Sequence, residues 1–122
     1  MPNRDRVMRF VDKVRNGRYI EAIAEFYDER AIVRENLGET RTGRDSIVRH
    51  ERMVLSGLRL MRTREVHAVL MDGERVAINW EFEMTGADGV VRVLNEVAIQ
   101  IWENERILHE QFFYDPRQLT AS

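Results

Sequence analysis

Glutamates, with one tyrosine and one histidine, set the chemistry this chain can attempt. Side chains alternate along a strand with a period of two, so Glu110 shares a face with Leu108, Phe112 and Tyr114. On the strand before it, Glu96 shares a face with Ala98, Gln100 and Trp102. If both faces meet one cavity, the two carboxyls disfavour double ionisation and one keeps its proton. Such a pair works as general acid and base, or binds a cationic ligand. The plainer alternative pairs either acid with an arginine such as Arg92 or Arg49, or leaves it in solvent. His50 is a candidate base or hydrogen-bonder, while His67 and His109 fall on the opposite, outer sheet face. The absence of cysteine excludes thiol nucleophiles, disulfides and thiolate metal sites. No histidine–carboxylate grouping has metal-ligand spacing, and there is no glycine-rich phosphate loop or nucleophile elbow. Neither a metal nor a cofactor is expected.

The elements that must position these groups follow from hydrophobic spacing. Residues 4–16 place Val7, Phe10, Val11 and Val14 at helical intervals, and Gly17 stops the helix. A second helix is predicted over 18–28, with Tyr19, Ile20, Ile23, Phe26 and Tyr27 on its apolar side. Residues 31–36 are β-compatible, and Gly38 and Gly43 bracket a polar turn. Thr42 and Asp45 have capping-box spacing and open a third helix that carries Ile47, His50, Glu51, Val54 and Leu55 and ends near Gly57. Strands follow over 60–71, 75–85, 90–103 and 107–114, punctuated by Asp72-Gly73, Asp88-Gly89 and Asn104-Glu105. In the second of them Val76, Ile78, Trp80 and Phe82 share the face turned to the core. Asp115-Pro116 closes the sheet, because proline cannot donate to a ladder. Helices segregated on one side of an antiparallel meander make an α+β fold, a single domain over 1–122.

Composition narrows the partners. The chain has 122 residues, 43% hydrophobic and 33% charged, with a net charge of −2, which gives no field to attract nucleic acid or anionic lipid. Its basic residues, all arginine except Lys13, are scattered among acids. No run reaches the ~18 apolar residues of a membrane span. The charged start from Met1 to Arg6 lacks the apolar stretch of a signal peptide, so a cytoplasmic location is expected. The strand over 90–103 is apolar on both sides. Covering Val97, Ile99 and Ile101 at ~25 cal/mol per Å² contributes several kcal/mol, and a homodimer through the outer sheet face is the simplest cover.

In this order and spacing, Phe10-Val11 through Gly17, Ala24-Glu25-Phe26-Tyr27-Asp28, Gly43-Arg44-Asp45-Ser46-Ile47 and Ile107 to Pro116 resemble the nuclear transport factor 2-like superfamily, in its SnoaL-like and ketosteroid isomerase-like branch. The resemblance implies a cone-shaped α+β barrel, three N-terminal helices on a curved, mostly antiparallel sheet, with a pocket between them. It implies a dimer in many members, and functions that range from isomerases and polyketide cyclases to non-catalytic domains.

It also implies site residues. The stretch Ala31-Ile32-Val33-Arg34-Glu35 is similar to the strand that carries the isomerases' general-base aspartate, and Glu35 falls on that aspartate. A carboxylate in an apolar pocket loses hydration, which favours its protonated form and suits it to shuttle a proton beside a carbonyl. The isomerases' oxyanion-donating tyrosine falls on Phe10 and their protonated aspartate near Ala98, so steroid isomerisation by that route is not expected. Tyr114, Gln100 and a protonated Glu110 remain as donors. The pocket wall is expected to hold Phe10, Tyr27, His50, Trp80, Phe82, Glu96, Gln100, Trp102 and Phe112, with Glu35, Glu110 and Tyr114 as the catalytic candidates. The expected occupant is a small apolar molecule, either a carbonyl substrate for cofactor-free proton transfer or the ligand of a non-catalytic binding or dimerisation domain.

Overall fold

The structure, a computed structural model, describes residues 2–120. Its elements are α1 (Arg4–Arg15), α2 (Tyr19–Phe26), β1 (Tyr27–Glu35), β2 (Thr40–Thr42), α3 (Arg44–Ser56), β3 (Leu58–Asp72), β4 (Arg75–Gly86), β5 (Val91–Glu103), β6 (Arg106–Phe113) and a 3₁₀ turn, η1 (Pro116–Leu119). Asn3 caps α1 by accepting from the Asp5 and Arg6 amides. The apolar stripe of α1, Val7, Phe10, Val11 and Val14, is buried.

The six strands lie in the order β2-β1-β6-β5-β4-β3. The meander from β3 to β6 is antiparallel, and β1 joins β6 in parallel. In a flat sheet β1 and β3 would stand four strands, ~19 Å, apart. Yet α3 packs against both, so the sheet curls and α3 closes its open side. This is the cone. Tyr19 and Thr63 share a hydrogen bond of 3.0 Å and Thr63 donates to the Val14 carbonyl at 2.7 Å, tying α1 and α2 to β3. Among the described residues no helix is long and apolar enough to cross a membrane.

Four local features depart from expectation. The second helix ends at Phe26, and Tyr27 starts β1, because its backbone pairs beside Ile107 of β6. The polar stretch before α3 is a short strand, with Val33 opposite Arg41. Gly43, not Thr42, caps α3, at φ +94°, a conformation that favours glycine. In β6, pairing slips between Ile101 and Trp102, so Ile107 rather than Leu108 is fully buried on the side of Glu110. On β5 the alternation is strict, with Leu94, Glu96, Ala98, Gln100 and Trp102 buried.

Candidate functional site

Between the helices and the concave sheet lies a cavity of about 350 Å³. Of the twelve residues named from sequence, ten line it: Glu35, Glu110 and Tyr114, and Phe10, Tyr27, His50, Trp80, Phe82, Glu96 and Phe112. Gln100 and Trp102 do not. They are on the expected face of β5 but lie deeper, where Glu110 and the Phe10 ring of α1 cover them. Trp80 stacks on Phe82 at 5.6 Å and meets Phe10 edge-on at 6.2 Å, making an aromatic wall.

Glu110 is 3% exposed and fully engaged. Tyr27 donates to its Oε1, and Gln100 Nε2 donates to its Oε2 at 2.6 Å. Trp102 Nε1 in turn donates to Gln100 Oε1 at 2.9 Å. Burial pushes the Glu110 pKa up to about 7, against those two hydrogen bonds, which favour the anion. Burial and the Glu110 charge hold the Tyr27 hydroxyl protonated, well above its ordinary range.

Glu96 stands differently. It is 7% exposed, and its carboxyl makes no hydrogen bond or ion pair among the described residues. The register sets Gln100 opposite Glu110, and Glu96 is four residues, ~13 Å, further along β5. The two acids therefore share a cavity but no proton. Burial first, then the carboxyls of Glu110, Glu35 and Glu51, push Glu96 up to about 8. At neutral pH it carries an O–H with no protein acceptor.

Glu35 ends β1, half-buried, beside Phe112 of β6. Tyr114 donates to its Oε1 at 3.3 Å. Tyr114 lies past the end of β6, held there by Asn36, whose left-handed backbone (φ 50°) lets its side chain accept from the Tyr114 amide at 3.0 Å. Burial and the adjacent Glu35 push the Tyr114 hydroxyl up to about 12. The carboxyls buried most deeply are thus Glu96 and Glu110 rather than Glu35.

Two charged wall residues were not among the expected site residues. Glu51 of α3 faces the cavity, and burial, with the Glu35 charge second, raises its pKa. Its signal was present: a glutamate four residues after Ile47, inside the apolar stripe. Arg41 of β2 also lines the cavity; the sequence offered it only as an ion-pair partner for Glu35, and no such pair forms among the described residues. His50 stands nearby, with its pKa lowered by burial and then by the Arg41 charge.

The family model of the SnoaL-like domain matches residues 7–110. The chain belongs to the SnoaL-like domain family. No curated protein matches its sequence. Among solved structures this SnoaL-like domain is similar to TerC co-crystallised with polyporic acid, at 20% identity over 98% of this chain and 95% of that one, with a TM-score of 0.81. A candidate SnoaL-like polyketide cyclase from Mesorhizobium loti shares 17% identity over 93% and 100% of the two chains, with a TM-score of 0.79. A hypothetical protein of ketosteroid isomerase-like fold from Catenulispora acidiphila, in complex with trimethylamine, shares 14% over 93% and 87%, with a TM-score of 0.77. These likenesses establish the SnoaL-like, ketosteroid isomerase-like fold.

Proposed function

We propose that the cavity takes up a small, largely apolar carbonyl compound and moves a proton on it without a cofactor. The observation that carries this reading is Glu96, a buried acid aimed into an apolar cavity with no partner of its own among the described residues. A buried acid near neutral pKa is a hydrogen-bond donor looking for an acceptor, and a carbonyl oxygen supplies one. Glu35 is the base. It takes a proton from the carbon beside the carbonyl; the C–H electrons move into an enolate, and the Glu96 O–H stabilises the oxygen that gains charge. Tyr114, bonded to Glu35, orients the base. Glu110, with both oxygens occupied, positions Tyr27 and is not the acid. Small molecules accompany two structural relatives, polyporic acid with TerC and trimethylamine with the Catenulispora protein, and this supports a ligand-binding role here.

The test uses 2-tetralone, or a ketone that native mass spectrometry finds co-purified. In D₂O, the protein should accelerate exchange of the α-protons, followed by proton NMR. Glu35→Gln keeps the shape and should lose at least ~100-fold of that rate, the usual worth of a general base. Exchange unchanged in the variant removes Glu35 as base. A ketone that binds but is never exchanged by the natural chain leaves a non-catalytic binding domain.

We also propose a homodimer through the outer sheet face. Val93, Val97 and Phe113 are exposed there. The outward acids of β4 are already paired within the chain, Glu83 with Arg62 and Glu81 with Arg64 and His67, so the contact rests on the apolar side chains. Val97→Arg should convert a dimer to a monomer in sedimentation equilibrium; a natural chain already monomeric at ~100 µM, where standard-size interfaces are assembled, refutes the dimer.

A further inference from the structure

This inference rests on the cavity reading above and deepens it. Four polar side chains of the wall, Arg41, His50, Glu51 and Glu96, make no hydrogen bond among the described residues. Arg41, from β2, and His50, from α3, both line the cavity, and neither side chain makes a hydrogen bond or ion pair among the described residues. Other arginines near this end of the sheet are used. Arg34 donates to the Gly38 and Leu37 carbonyls, and Arg44 to the Tyr27 carbonyl. Arg41 points inward because its β-partner Val33 belongs to the core. Arg41 and His50 are half-buried, and their nitrogens are reached by solvent through the cavity; a ligand that fills the cavity displaces that water, and then only an acceptor on the ligand replaces it.

The cavity's own acids do not serve. Glu35 accepts from Tyr114 through Oε1 and forms no ion pair with Arg41 among the described residues, and Glu110 is bonded to Tyr27 and Gln100. Glu51 and Glu96 are both held towards their neutral forms, chiefly by burial. His50, kept neutral by burial and by Arg41, offers one N–H without competing charge. We infer that Arg41 and His50 form a second subsite at the cavity wall that takes an anionic oxygen group of the ligand, a carboxylate or an equally acidic enol. The planar fork of arginine fits such a group through two parallel bonds.

The subsite and the carbonyl site stand apart. Arg41 is on the edge strand and Glu96 three strands away on β5, ~14 Å across the sheet before curvature and side-chain reach shorten it. The ligand therefore carries its acid and its carbonyl at opposite ends of an apolar body one or two rings long, against Phe10, Trp80 and Phe82. The substrate class is an oxo acid with an aromatic or alicyclic body.

Three probes of one shape test this by titration calorimetry on the full chain at pH 7: 1-naphthaleneacetate, its neutral amide, and 1-naphthylethylammonium. The acetate should bind about tenfold or more tighter than the amide, the scale of one charge-assisted bidentate contact. Arg41→Met should bring the acetate within about twofold of the amide while amide affinity stays, and Arg41→Lys should keep part of the preference. Equal binding of acetate and amide by the natural chain overturns the subsite and leaves the cavity reading intact. Tightest binding of the ammonium overturns it in favour of a cation site built on the glutamates. Binding of none of the three overturns both readings. The natural chain alone decides each of these, so a variant that fails to fold does not spare the proposal.

Discussion

Gln100 occupies the hinge of the buried polar chain that ends at the cavity. Its carbonyl oxygen accepts from Trp102 and its amide donates to Glu110, so it satisfies a group on either side. Gln100→Leu keeps the volume and leaves Trp102 Nε1 and Glu110 Oε2 without a partner. Each stranded buried group costs ~1–3 kcal/mol, so the variant should lose ~2–6 kcal/mol in urea unfolding. Glu110→Gln should differ in depending on pH. A neutral amide still offers an acceptor to Tyr27 or Gln100, and the buried charge disappears. Because the Glu110 pKa lies at about 7 in the folded chain, this variant should lose ~1–3 kcal/mol at pH 5, where the acid is protonated anyway and the amide strands one of the two donors, and should recover most or all of that loss relative to the natural protein at pH 8. If Glu110→Gln destabilises at both pH values by as much as Gln100→Leu, Glu110 is needed as an anion and its positioning role is misassigned.

At the level of elements, what could be read from the sequence was whatever local patterning determines. The α1 stripe of Val7, Phe10, Val11 and Val14, and the alternation of β4 and β5, emerge as buried faces because a period of 3.6 or two has one physical solution when one side must be dry. Asn104 and Glu105, both at positive φ, make the two-residue turn that tightens the last hairpin. What could not be read is non-local. β2 is three polar residues that exist as a strand only because β1 pairs with them. The parallel match of β1 with β6 joins segments far apart in the chain, for example Val33 with Glu110, and no local pattern encodes it. The slip at Leu108 hides for the same reason: a bulge is invisible to alternation counting, and it exchanges Leu108 for Ile107. The site inherits this division. Glu35, Glu96, Glu110 and Tyr114 could be named from faces and resemblance, but their pairings depend on cross-strand register. That register separates Glu96 from Glu110 and gives Tyr114 to Glu35. Arg41 could be named only as a partner for Glu35, and its place in the wall stayed hidden with its strand.

Over the whole molecule, acids buried for a site make folding depend on pH in an unusual sense. Surface carboxylates, the half-buried Asp28 and Glu83 and the exposed Asp88 and Asp115, have lowered pKa values from hydrogen bonds and arginine neighbours, so they stabilise only above the ordinary carboxylate range and weaken below about pH 4. Glu96 and Glu110 work the other way. The folded chain holds their protons up to about 8 and about 7, while the unfolded chain releases them near 4.5. The folded state therefore binds more protons between these limits, and its stability falls as pH rises through them, then levels off once both groups are ionised in either state. Each tenfold difference in proton affinity between the folded and unfolded chain is worth at most about 1.4 kcal/mol, so the loss amounts to several kcal/mol. The chain without ligand should be most stable near pH 5 and lose melting temperature steadily towards pH 8. Glu96→Gln should flatten the larger part of that slope, gaining nothing at pH 5 and most at pH 8. The profile separates a buried neutral acid from a solvated one: thermal unfolding that is level from pH 5 to 8 in the natural chain places Glu96 in water, and a carboxyl in water is not the donor that the cavity chemistry requires.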